Sequence, residues 1–192
     1  GNHNVYLNDP AYVKDNYITY SNPQTEVTTD FLPDLTPVAA LRLRCAGTGQ
    51  EILVIHGHQG DFYNDQLWFV TMLSMKYTWR IMHAFGLQNP ASPAKNAYKR
   101  HKIEKNYNKW IESHRTALIC GHTHRFKFPR SGELPYFNTG SCVYPASMTA
   151  IEIAEGEIAL VRWHVAPDDD GHLLVQRQVL SGPEPLEKFD IR

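Results

Sequence analysis

Two of the ten histidines in this chain, His122 and His124, are separated by a single residue in Gly121-His122-Thr123-His124. Extended backbone would turn both imidazoles to one face, about 6 to 7 Å apart at the backbone. That separation suits two neighbouring metal ions, which in a hydrolytic pair lie about 3.5 to 4 Å apart and share a water. A His-x-His pair standing alone is read as well as a polar pair at a strand end. A third imidazole, His56, follows the apolar run Glu51-Ile52-Leu53-Val54-Ile55 and precedes Gly57. It too is delivered to the carboxyl end of a strand, where open α/β sheets place their ligands. At the start of the chain, Gly1-Asn2-His3 sets a carboxamide oxygen, a usable hard metal ligand, beside an imidazole able to act as an acid or as a phosphate contact.

The elements that must hold these residues follow from the apolar patterning. Val38–Arg44 and Glu51–Ile55 read as strands, and Asn64 is placed to cap a helix from Asp65 to about Phe85. Ser92-Pro93 supplies an N-cap and a first-turn proline for a second helix reaching about Ser113. Strands are predicted over Thr116–Cys120, Pro135–Asn138, Thr149–Ile153, Ile158–Val165 and Leu173–Leu180. Asp168-Asp169-Asp170-Gly171 reads as the hairpin turn between the last two. The stretch from Gly1 to about Pro37 is rich in Asn, Asp, Pro and Tyr and reads as loop with one short helix near Pro10–Asn16. The first long helix is apolar nearly all the way round, which suits either a buried helix or a lid over an apolar pocket. The second carries seven lysines and arginines against two glutamates between Pro93 and Arg115, with Ile103, Tyr107, Trp110 and Ile111 as its apolar face. Its basic side is either solvated or attractive to an anionic substrate or membrane surface.

A chain of 192 residues, 42% hydrophobic, can bury one well-packed core, so a single domain is the default. A formal charge of −1 argues against a surface built to grip nucleic acid. Cys45, Cys120 and Cys142 are odd in number and lack CxxC spacing, which fits free thiols in a reducing compartment. No apolar run approaches the roughly 20 residues that span a bilayer, and the N-terminus has no charged-then-apolar leader pattern. The expectation is a soluble, cytoplasmic protein.

Taken together, Gly1-Asn2-His3-Asn4, then Ile52-Leu53-Val54-Ile55-His56-Gly57, then Ile119-Cys120-Gly121-His122-Thr123-His124 resemble the calcineurin-like metallophosphoesterase family in order and spacing. His56-Gly57-His58-Gln59-Gly60-Asp61 and Tyr136-Phe137-Asn138-Thr139-Gly140-Ser141-Cys142 are similar to a bacterial branch of it. The chain departs from the family in two ways. Asn4 stands where a carboxylate usually orients the preceding histidine, and the sequence opens at the Gly-Asn-His motif, without the family's Asp-x-His and Gly-Asp-x-x-Asp motifs that come before it. The expectation is therefore a C-terminal portion, residues 1–192, of one metallophosphoesterase domain with a helical insertion at about 64–115. The lost part would hold roughly 60 or more residues, at about 30 per strand-helix unit.

The resemblance implies an α/β fold, a four-layer αββα sandwich of two facing mixed sheets flanked by helices, with the N-terminal part of the first sheet missing. It implies Asn2, His56 and His122 on one metal, His124 on the other, and His3 as the catalytic imidazole. Two divalent ions, manganese, iron or zinc, suit that ligand set. The implied partner is a phosphorylated small-molecule substrate, and exposed apolar surface would favour the missing half or a homo-oligomer. His58 and Asp61 are candidates to touch phosphate or to hold His56, or are simple loop structure. Arg125 is a candidate phosphate contact through its planar fork, or a solvated side chain. His83, His101, His114, His164 and His172 read as surface or packing residues. Two functions stay open: metal-dependent hydrolysis of a phosphate ester or pyrophosphate, and a catalytically silent metal-binding or structural fragment.

Overall fold

The computed structural model describes residues 5–60 and 97–191, together with Leu73, Tyr77 and Ala84. The helix expected over 65–85 and the capping residues Ser92 and Pro93 lie outside them, as do Asn2, His3 and Asp61. The chain divides into two compact units, Gly1–Ala39 and Ala40–Arg192.

In the first unit, α1 (Pro10–Val13) starts where Asp9 accepts the Ala11 N–H at 2.9 Å and proline occupies the first turn. It continues as a π-helical turn over Lys14–Ile18. Strands β1 (Thr19–Ser21) and β2 (Thr28–Asp30) then pair antiparallel, tied by a 2.8 Å hydrogen bond between the Ser21 and Thr28 hydroxyls. This ribbon falls in a stretch whose sequence reads as loop. Both strands are exposed throughout, so no apolar alternation marks them.

The second unit is built on a mixed sheet in the order β3 (Ala40–Arg44), β4 (Glu51–Ile55), β5 (Ala117–Cys120), β6 (Tyr136–Asn138). β3 runs antiparallel to β4, whereas β4, β5 and β6 are parallel. Strict alternation divides their side chains between two cores. Leu53, Ile55, Leu118, Cys120 and Tyr136 pack against Ile103, Tyr107 and Ile111 of α2 (Ala97–His114). Ile52, Val54, Ala117, Ile119 and Phe137 pack on the other side. There they meet Ile151 and Ile158 of a second sheet and Leu186 and Phe189 of the C-terminal turn.

That second sheet runs β7 (Ser147–Ala154), β8 (Glu157–Pro167), β9 (Leu173–Pro185), antiparallel throughout rather than mixed. Asp168 closes the β8–β9 hairpin as the sequence suggests. Its backbone oxygen accepts the Gly171 N–H, and its carboxylate accepts from Asp170 and His172 N–H. The described residues of this unit thus form three layers: helix, mixed sheet, antiparallel sheet. None of them supplies a fourth layer on the outer face of β7–β9.

Candidate functional site

The carboxyl ends of β4, β5 and β6 carry the chemistry-bearing residues, and the parallel ladder is carried beyond the strands to hold them. Gly121 N–H donates to His56 O at 2.9 Å, and Thr139 N–H donates to Cys120 O at 2.8 Å. His56 is exposed just past β4, and His122, two residues past β5, is 8% exposed. Their rings stand 5.4 Å apart, centre to centre, at 66°. Imidazole nitrogens bind zinc-like ions at about 2.0–2.1 Å, so two rings sharing one ion have centres within roughly 6.5 Å. The pair fits a shared ion on that measure. The His58 ring centre lies 5.5 Å from that of His56.

The backbone of the His-x-His differs from the extended form its spacing suggests. His122 and His124 both adopt left-handed φ, at 61° and 55°. Thr123 N–H turns back to donate to Gly121 O at 2.6 Å, closing a three-residue turn. Alternation across a strand face therefore does not place the two imidazoles, and their directions are set by what packs beneath the turn. Left-handed backbone costs a non-glycine residue about 1–3 kcal/mol and persists only where its surroundings enforce it.

Asn138, the last residue of β6 and fully buried, supplies much of that enforcement. Its Nδ2 donates to Gly121 O at 2.9 Å and lies 3.1 Å from Thr123 Oγ1 and 3.0 Å from the Tyr136 hydroxyl. Its Oδ1 accepts the Gly140 N–H at 2.9 Å. One carboxamide thus ties the His122 turn to the loop after β6. Gly140 is required there: its φ is 81°, and a Cβ would come 2.1 Å from Thr149 Oγ1 and 3.0 Å from Phe126 Cβ. On the other flank, Gly57 at φ 104° lies where a Cβ would press on Cys120 and His122. Tyr107 of α2 donates its hydroxyl proton to Gly57 O, so the helix holds the His56 turn from below.

Beneath this network Cys120 is chemically inert. Burial pushes its thiol up to about 12, and it donates to the Tyr136 hydroxyl, which burial raises as well. His124, half-buried, has its Nδ1 3.2 Å from Ser141 Oγ. Arg125 is exposed one residue beyond. Among the described residues, no group of three or more His, Cys, Asp or Glu side chains converges to hold a metal. The structure brings together His56, His58 and His122, and sets His124 on Ser141.

The solved structure of Vps29 from Chaetomium thermophilum resembles this chain with a TM-score of 0.35 and 11% identity, over 77% of this chain and 60% of that one. The chain spans about 60% of that protein's length, and no functional reading rests on so loose a likeness. No family model matches the sequence, and no curated protein matches it. No helix among the described residues is long and apolar enough to cross a membrane.

Asn138, Ser141 and Tyr107 carry the site's order without being chemical candidates in the sequence. The run Tyr136-Phe137-Asn138-Thr139-Gly140-Ser141 does hold a signal, a polar, glycine-bearing stretch directly after an apolar strand. What it lacks is any mark of which loop it serves.

Proposed function

We propose that this chain forms the imidazole side of a metal centre that hydrolyses a phosphate ester or pyrophosphate, in the manner of calcineurin-like metallophosphoesterases. The observation that carries the reading is the His56–His122 pair, whose ring centres stand 5.4 Å apart just beyond the ends of adjacent parallel strands, a separation two ligands of one ion can have. His56 and His122 would hold a first divalent ion with Asn2, and His124 would contribute to a second. An ion there supplies Lewis acidity, neutralising phosphoryl charge and activating water near neutral pH. The chain's own residues orient the ligands: Asn138 holds the His122 turn and Tyr107 the His56 turn. Arg125, exposed beside His124, would hold a substrate phosphate through paired N–H donors. His58 and Asp61 would steady His56 or touch phosphate, and His3 would stabilise the phosphorane-like charge or protonate the leaving oxygen.

A second reading is a metal-binding or structural fragment without turnover. Calorimetry with manganese and zinc, and assays on a chromogenic phosphomonoester and phosphodiester, separate the two. Metal uptake lost in His56→Ala and in His122→Ala, with turnover abolished by His122→Ala, is the result expected of the enzyme. Uptake without turnover identifies the silent fragment, and no uptake overturns the metal centre.

A further inference from the structure

We propose that Ser141 is the positioning residue of His124, holding the ring in the tautomer that carries its proton on Nδ1 so that Nε2 meets a metal ion. The inference rests on the metal-centre reading above and adds the residue that pre-sets its second histidine.

Ser141 is the fixed partner of the two. Its N–H donates to Thr149 Oγ1 at 3.1 Å, and its carbonyl accepts the Thr149 N–H at 3.1 Å, a double tie to β7. Gly140 before it is held by Asn138, and Ser141 is buried, only 6% exposed. His124, by contrast, stands in irregular left-handed backbone, where no strand register fixes its ring.

The hydroxyl chemistry follows from the count of lone pairs. Ser141 Oγ accepts the Val143 N–H at 3.3 Å and lies 3.2 Å from His124 Nδ1, with one lone pair and its own proton left for that contact. Two directions satisfy that contact. If the hydroxyl donates, the imidazole proton sits on Nε2 and closes that nitrogen to a metal. If Nδ1–H donates to Oγ, Nε2 carries the lone pair that ligation needs. A partner that takes the far ring proton of a ligating histidine fixes its orientation and raises its basicity, and losing such a partner costs about 10- to 100-fold in metal affinity. In both directions Ser141 occupies Nδ1, and only the second leaves Nε2 open to ligation.

The test uses nitrogen-15-labelled full chain at about pH 8, where imidazoles are neutral, with the His124 signals assigned by their loss in His124→Gln. In the metal-free protein, long-range proton–nitrogen correlation should show His124 protonated on Nδ1. In Ser141→Ala the ring should revert to the mixture of tautomers of an unrestrained imidazole. Zinc should shift Nε2 and leave Nδ1 protonated, and calorimetry should show at least a 10-fold weaker zinc affinity in Ser141→Ala, largely restored in Ser141→Thr. A His124 protonated on Nε2 in the metal-free chain, or ligated through Nδ1, would overturn the proposal, as would a Ser141→Ala protein matching the natural one in tautomer. Zinc uptake that fails altogether sinks the metal-centre reading instead, while the metal-free spectrum still decides the role of Ser141.

Discussion

The two ends of the β3–β6 sheet are built from similar materials to opposite effect. At the amino end, Gln50, 3% exposed, donates its amide to Leu186 O at 2.9 Å, and Arg115 Nε donates to Ile191 O at 2.9 Å. The C-terminal segment is drawn across this edge. It leaves a cavity of about 160 Å³ lined by Gln50, Glu51, Arg115, Thr116, Phe189 and Asp190. At the carboxyl end, the equally buried amide of Asn138 binds loops instead of a tail, and His56 stays exposed above it. Both ends bury one carboxamide, and both contain left-handed non-glycine residues, Arg115 at one and His122 and His124 at the other. The contrast shows that a buried amide does not mark a site. What marks it is the purpose of the amide's bonds: at one end they close a surface, at the other they hold imidazoles in a backbone the chain would not otherwise adopt.

Removing each amide should separate these roles, and Asn138→Ala should have the largest effect. It strips the partner from Gly140 N–H and leaves Gly121 O, Thr123 and Tyr136 to re-pair in a buried space, a loss of about 3–5 kcal/mol. Urea unfolding measures it, and a loss below about 1 kcal/mol would mean that the turn holds itself. Gln50→Ala should cost less, about 1–3 kcal/mol, because it leaves chiefly the Leu186 carbonyl unpaired. Its zinc affinity should match the natural chain's, and a fall would show that the two ends are coupled.

The smallest effect is expected on the antiparallel sheet, away from both ends. Glu152 accepts from Arg177 and from Trp163 Nε1, and the Arg177 hydrogen bond, with Trp163 adding, lowers its carboxyl below the ordinary range. A depressed folded-state value means the contribution is present above the unfolded carboxyl pKa, about 4.3, and is lost as pH falls through the folded value. Natural chain and Glu152→Gln should therefore differ slightly in urea midpoint at pH 7, and the difference should shrink as pH falls below about 4.3 and vanish below the folded value. A gap that persists in acid would place the effect in packing rather than charge.

Much of the frame was legible in advance. Glu51–Ile55 is a strand over the residues predicted, and Ile103, Tyr107 and Ile111 are the buried stripe of α2. These features repeat at the period of their own element, so each segment announces its buried face locally. The β1–β2 ribbon was illegible because neither strand buries a side chain. The His122 turn was misjudged for a related reason, since spacing in sequence gives a direction only when the backbone is regular.

The sequence by itself determined which apolar-patterned elements of the second unit form, the buried stripe of α2, and that histidines follow two apolar strands. Only the tertiary structure decided that His56 and His122 stand 5.4 Å apart and that Asn138 supports one turn while Ser141 holds His124. Local periodicity is a property of neighbouring residues and can be read from them. The conformation of a polar loop is fixed by buried donors and acceptors contributed from elsewhere in the chain, here across 15 to 18 residues of separation, and no pattern within the loop records which of them it will meet.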